Sequence, residues 1–145
     1  MWIQTHSGNK FYFMFCKQED FKIEDIAHSL SLICRYTGHC NEFYSVAQHS
    51  VIVSNCVPYK LAIYGLLHDG QEAYVGDMNS PLKSMLPHYE VIHNQIHNKM
   101  LEALGLKPLS IEERSIIKYY DRAVLNTEVR CLFDHKIDDW EDIIK

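Results

Sequence analysis

The chain has no cluster of lysine or arginine, no C-x-x-C pair and no apolar run long enough to cross a bilayer. Each absence excludes something. Without a basic patch, and with a net charge of −5, a polymeric nucleic acid is excluded as a partner, while a small anion held by a few local cations is not. The five cysteines, Cys16, Cys34, Cys40, Cys56 and Cys131, are odd in number, so reduced thiols filling apolar space are expected rather than a disulfide framework or a zinc knuckle. The opening MWIQTHSGNKFYFMF carries neither the basic region nor the small-residue cleavage site of a secretory signal. A cytoplasmic protein with no membrane partner is therefore expected. No repeat, low-complexity tract or linker interrupts the 145 residues, so one domain spanning 1–145 is expected, large enough to bury a real core.

What is present reads as helix after a short β-prone start. Trp2 to Thr5 and Lys10 to Phe15 flank a His-Ser-Gly-Asn turn, which predicts a hairpin within residues 1–16. A helical core over 23–133 follows. Ile23 to Ile33 carries apolar residues at helical intervals, Gly38 interrupts what comes next, and Ser45 caps a helix from Val46 to Val57 that Pro58 stops. A central helix is expected from about Lys60 to Val75, ended by Gly76. Pro87 opens another through Leu104, and Ser110 with Glu113 forms a capping box for a long one from Ile111 to Phe133. The tail, 138–145, adds one last turn or frays. The fold class is all-α, a compact helical bundle with a small N-terminal β-hairpin.

Several polar residues stand on stripes that should be buried. On the central helix, Glu72 lies one turn beyond both His68 and Asp69, among Leu61, Tyr64 and Leu66. A carboxylate placed there must be paired, hydrogen-bonded or metal-bound. His49 shares a row with Val46, Val53 and Cys56, and Asp121 stands between Ile117 and the pair Val124, Leu125. Singly, a core histidine bonds a carbonyl and a core aspartate caps a neighbouring helix. Together, two imidazoles and two carboxylates form a nitrogen and oxygen set suited to a divalent transition metal such as Zn, Co or Mn rather than to Ca. A rival pair, His93 and His97, lies one turn apart, but the H-E-x-x-H glutamate is absent because residue 94 is Asn. These two histidines are expected on the surface.

The order His49, His68-Asp69, Asp121 resembles the HD-domain phosphohydrolase superfamily. The resemblance covers nearly the whole chain: D-I-A-H-S-L-S at Asp25 to Ser31, Y-S-V-A-Q-H-S at Tyr44 to Ser50, L-L-H-D-G-Q-E-A-Y-V-G-D at Leu66 to Asp77 and S-P-L-K at Ser80 to Lys83. It is nearest to the small bacterial and bacteriophage HD proteins, which include deoxynucleoside 5′-monophosphatases and phage dATP triphosphohydrolases. Gln48 stands where that subgroup often has a glutamate, and Tyr36 where an aromatic follows the arginine.

The resemblance implies an HD-domain bundle with His49, His68, Asp69 and Asp121 as metal ligands. Glu72, and Asp69 with it, would serve the chemistry, Glu72 by orienting a water or shuttling its proton. Arg35 and Lys83 would meet phosphate oxygens, Asp77 would face the sugar or phosphate, Tyr36 would stack on a base, and His39 would complete the pocket. The implied reaction is attack of water on the α-phosphorus of a deoxynucleotide, releasing phosphate or triphosphate. A signalling nucleotide as substrate, or a non-catalytic nucleotide-binding protein with a structural metal, stays open. The resembled proteins assemble, so a homo-oligomer is expected.

Overall fold

The computed structural model describes residues 1–134, so the expected tail lies outside them. The hairpin forms where the turn residues ask for it. Gly8 takes φ 85°, a conformation open to a residue without Cβ, and Ile3–Gln4 (β1) pairs antiparallel with Lys10–Phe11 (β2) in the register Ile3 to Phe11 and Gln4 to Lys10. The strands are shorter than expected because residues 13–15 turn, with Phe15 N–H donating to the Tyr12 carbonyl. Their purpose is to deliver Phe11, which is fully buried and stacks on Tyr74 at 4.1 Å.

Helices account for the rest. They are α1 (Ile23–Leu32), α2 (Val46–Cys56), α3 (Ala62–Leu67), α4 (Glu72–Val75), α5 (Ser80–Ser84), α6 (Pro87–Ala103) and α7 (Ile111–Leu132), with 3₁₀ turns at Gln18–Asp20, Arg35–Gly38 and Tyr59–Leu61. The expected caps hold: Ser45 Oγ accepts from Gln48 N–H at 3.1 Å and Ser110 Oγ from Glu113 N–H at 3.1 Å, and both Gln48 and Glu113 reciprocate. Helix α5 is begun by the Asn79 side chain accepting from Leu82 N–H. Among the described residues, no helix is long and apolar enough to cross a membrane.

The expected central helix is not continuous. Between α3 and α4, residues 68–71 tighten into successive i→i+3 bonds, Gly70 N–H to Leu67 O, Glu72 N–H to Asp69 O and Tyr74 N–H to Gln71 O. Side chains three apart eclipse in that winding. Glu72 therefore stands over Asp69 more directly than an α-helix would place it.

Helix α2 packs against α1, α3 and α7. Its buried stripe joins two apolar clusters, since Val46 belongs with Phe11, Leu67, Tyr74 and Met100, and Val53 with Leu61, Ile117 and Val124. His49 lies between those two valines, at the seam. Cys56, expected on the same row, is exposed at the helix end.

The closeness of α2 and α3 depends on Gly65, where an added Cβ would sit 3.0 Å from Val57 Cγ2 and 3.2 Å from Ser54 Cα. Alanine would gain up to about 1 kcal/mol of helix propensity but would force the helices apart at a cost of about 1–3 kcal/mol. Gly65→Ala is therefore expected to lower the denaturant midpoint and, because these helices carry His49 and His68, to weaken metal affinity. A midpoint higher than that of the native chain would show that the contact is slack.

Candidate metal centre

Four side chains from three segments converge: His49 from α2, His68 and Asp69 from the tight turn after α3, and Asp121 from α7. Asp121 Oδ1 lies 3.0 Å from His49 Nε2 and 3.7 Å from His68 Nε2. Asp69 Oδ2 lies 3.1 Å from His68 Nε2 and 3.9 Å from His49 Nε2. Donor atoms of His49, His68 and Asp69 fall mutually within 4.8 Å, a grouping that could hold a metal ion, and Asp121 Oδ1 approaches both imidazoles beside it.

The direction of the imidazoles is set from behind. His68 Nδ1 donates to the Gly65 carbonyl at 2.8 Å and His49 Nδ1 to Glu128 Oε1 at 2.7 Å. Without metal, His49 Nε2 donates to Asp121 Oδ1 at 3.0 Å; once that proton leaves, the proton kept on Nδ1 turns the Nε2 lone pair to the carboxylates, the arrangement that outer partners impose on metal-bound histidine. His68 Nε2 is buried yet aligned with neither carboxylate for a hydrogen bond. Buried polar atoms are seldom left so. An imidazole nitrogen without a hydrogen-bond partner, a second imidazole and two carboxylates together fit a divalent transition metal.

The electrostatics agree. Burial opposes charge on His49 and His68, but the carboxylates outweigh it, Asp121 and Glu128 at His49 and Asp69 and Asp121 at His68, so both imidazoles titrate above their usual range. Burial likewise opposes the Asp69 and Asp121 carboxylates. It is overcome at Asp69 by His68, His49 and Arg35, and at Asp121 by the two histidines, so both acids stay ionised well below the usual range.

In the metal-free protein the raised imidazoles contribute stability that is complete below the unfolded value of 6.5 and lost as pH rises through their folded values. The depressed aspartates contribute stability present above 3.8 and lost as pH falls through their folded values. The metal-free melting temperature is therefore expected to decline as pH is raised above 6.5. Zinc, cobalt or manganese, which take neutral imidazole, should cancel that decline and raise stability by about 4 kcal/mol at a thousandfold excess over Kd. A melting profile that metal leaves unchanged across this window would count against the site.

Beside the cluster opens a cleft of about 450 Å³, and Arg35, Tyr36, His39, Asp69, Glu72, Asp77, Lys83 and Asp121 all line it. The five residues expected to touch substrate thus line the same cleft as Asp69, Glu72 and Asp121. Glu72 is 4% exposed, and its Oε2 has no hydrogen-bond partner. Burial first, then the Asp69 and Asp77 carboxylates, push its pKa up to about 10, so in the metal-free protein it is a neutral acid at pH 7. Burial also raises Asp77. Arg35 is buried and committed: its Nε lies 3.3 Å from Glu128 Oε2 and its Nη1 3.8 Å from Asp69 Oδ2.

Glu128 was not anticipated. It is 5% exposed and accepts from His49 Nδ1, from Tyr44 OH at 2.8 Å and from Tyr36 OH at 2.7 Å while facing Arg35. A signal existed, because Glu128 follows Asp121 by seven residues, two turns along the same helical stripe. Phe133, Leu125 and Met78 also line the cleft unannounced, Phe133 meeting the Tyr36 ring edge-on at 5.2 Å.

His93 and His97 are not surface residues. Both are half-buried and turn onto the buried Gln71, whose Nε2 donates to His93 Nε2 at 2.9 Å and whose Oε1 accepts from His97 Nδ1 at 2.6 Å. Lys83 Nζ approaches the same His93 nitrogen at 3.4 Å. Through Gln71 these histidines hold the turn that carries Asp69.

No known protein-family profile matches the chain. A protein of Escherichia coli strain K12, the uncharacterized protein YfdR, is 44% identical over 130 residues, which are 90% of this chain and 71% of YfdR. An uncharacterized protein of Rhodobacter capsulatus is 32% identical over 94 residues, 59% of this chain and 48% of that protein.

Proposed function

The chain belongs to the same family as Escherichia coli YfdR, and we propose that it is an HD-domain, metal-dependent phosphohydrolase acting at the α-phosphorus of a deoxynucleotide. The observation that carries this reading is the pair of imidazoles fixed through Nδ1, with both Nε2 atoms turned to Asp69 and Asp121 at the edge of a cleft that also holds Arg35 and Lys83. The ordered motifs from Asp25 to Lys83 add the family resemblance.

His49, His68, Asp69 and Asp121 would hold the ion. A bound divalent metal supplies Lewis acidity toward a phosphoryl oxygen and can lower the pKa of water from about 15.7 to about 7, making a nucleophile available at neutral pH. The chain does the rest. Lys83 and Arg35, which both line the cleft, draw the phosphate toward the cluster. Water adds to the α-phosphorus and the bond to the sugar 5′-oxygen breaks, leaving an alkoxide that must take up a proton. Glu72, buried with an unused carboxyl oxygen and pushed toward its protonated form by burial and the neighbouring Asp69 and Asp77, is placed to hold such a proton. The same bond breaks whether the substrate is a monophosphate or a triphosphate. The cleft volume lies in the range of about 300–1,000 Å³ typical of small-molecule sites.

Incubation of zinc-, cobalt- and manganese-loaded protein with a panel of deoxynucleotides, with nucleoside, phosphate and triphosphate resolved, tests the proposal. Nucleoside with phosphate selects the monophosphatase, and nucleoside with triphosphate the triphosphohydrolase. Nucleotide binding without product in all three metals would replace the enzyme with a nucleotide-binding protein that uses its metal structurally.

A further inference from the structure

The cysteines were expected to be unpaired fillers, yet Cys34 Sγ and Cys40 Sγ lie 3.7 Å apart, both half-buried, on either side of the segment that walls the cleft. Local backbone makes the meeting. Cys34 leaves α1 in extended conformation and bridges antiparallel to Ser45, with Arg35 N–H donating to the Tyr44 carbonyl. Three consecutive residues, Tyr36, Thr37 and Gly38, then take φ of 58°, 54° and 76°, a run in the left-handed region that reverses the chain and returns Cys40 to Cys34. Cys40 Sγ also approaches the Arg35 carbonyl at 3.7 Å.

We propose that Cys34 and Cys40 are a modification site, a thiol pair that closes reversibly to a disulfide across the Arg35–His39 wall and thereby controls substrate entry to the cleft. The control rests on the function proposed above; the bond itself does not. The co-reactant is a small-molecule disulfide. One cysteine thiolate attacks a sulfur of that disulfide, breaking its S–S bond, forming a mixed disulfide and releasing one small thiol. The second cysteine, giving up its proton, attacks the protein sulfur of the mixed disulfide and releases the other small thiol. The two cysteines lose two electrons and two protons, and the co-reactant is reduced to two thiols. Contracting the sulfur separation to about 2.05 Å pulls the ends of a loop whose Arg35, Tyr36, Thr37 and His39 line the cleft. None of the four metal donors lies within that loop, so the displacement acts first on the residues that line the cleft.

The test uses the full chain carrying Cys56→Ser and Cys131→Ser, which removes the two exposed thiols, equilibrated in oxidised and reduced glutathione. Oxidation should remove two hydrogens by mass, cross-link the peptides holding Cys34 and Cys40 after cleavage at Arg35, and reverse with excess reduced glutathione. Cys34→Ser and Cys40→Ser should each abolish the bond. Metal content should not change, while KM for the deoxynucleotide rises roughly tenfold. Two alkylatable thiols at these positions under oxidising buffer, or a mapped bond that leaves KM unchanged, would overturn the proposal. Absence of hydrolysis in the reduced protein would instead count against the proposed function, and the disulfide would then stand or fall on its mapping.

Discussion

Asp69→Ala is expected to lose its metal and, with it, turnover by on the order of 10³-fold or more, the scale of several kcal/mol of transition-state stabilisation. One Asp69 oxygen, Oδ2, lies 3.1 Å from His68 Nε2, 3.9 Å from His49 Nε2 and 3.8 Å from Arg35 Nη1. Removing it turns the pocket toward net positive charge, which repels a divalent cation and lowers the affinity of the remaining three donors. The fold should survive, because Arg35 keeps Glu128 and the imidazoles keep their Nδ1 partners. Elemental analysis alongside a turnover assay reads both effects. Full metal occupancy with undiminished activity would sink the ligand set.

The second large effect separates chemistry from stability. Glu72→Gln keeps the shape of the side chain but cannot exchange a proton, so turnover should fall by roughly 10²–10⁴-fold with metal content unchanged. Stability should move the other way. The folded Glu72 titrates near 10 against an ordinary 4.5, so the stability present below pH 4.5 erodes as pH rises from there toward 10. Glutamine removes that loss. The metal-free variant should therefore melt higher than the native chain at pH 7, with the gain shrinking as pH approaches 4.5. Loss of metal from Glu72→Gln would instead make Glu72 a ligand.

Much of this arrangement is legible in the sequence. The anomalies of His49 and Asp121 on apolar stripes were legible because helical periodicity is local. The caps at Ser45 and Ser110 were legible for the same reason, each needing only residues three apart. Glu128 was missed because its importance is not local: its partners lie 79, 84 and 92 residues away, and nothing near it in the chain marks them. The turn at residues 68–71 was read as continuous helix because the sequence pattern there suits both. Packing of Met100, within 2.7 Å of where a Gly70 Cβ would stand, shows how closely α6 approaches it. His93 and His97 look like a solvated pair until that approach puts Gln71 between them. Cys34 and Cys40 carry no spacing signature, and only the left-handed run at Tyr36 to Gly38 brings them together.

By itself, then, the sequence determined that the protein is mostly helical with a small N-terminal hairpin, and which residues would be costly to bury unpaired. Apolar periodicity, capping pairs and the price of desolvating a carboxylate are properties of short stretches of chain. The tertiary structure decided what those residues are for one another. It alone brought Asp121 within 3.0 Å of His49, turned both Nε2 atoms toward the acids and set Glu72 over Asp69. The distances between α2, α3 and α7 follow from packing, helped between α2 and α3 by Gly65, and no run of adjacent residues encodes them.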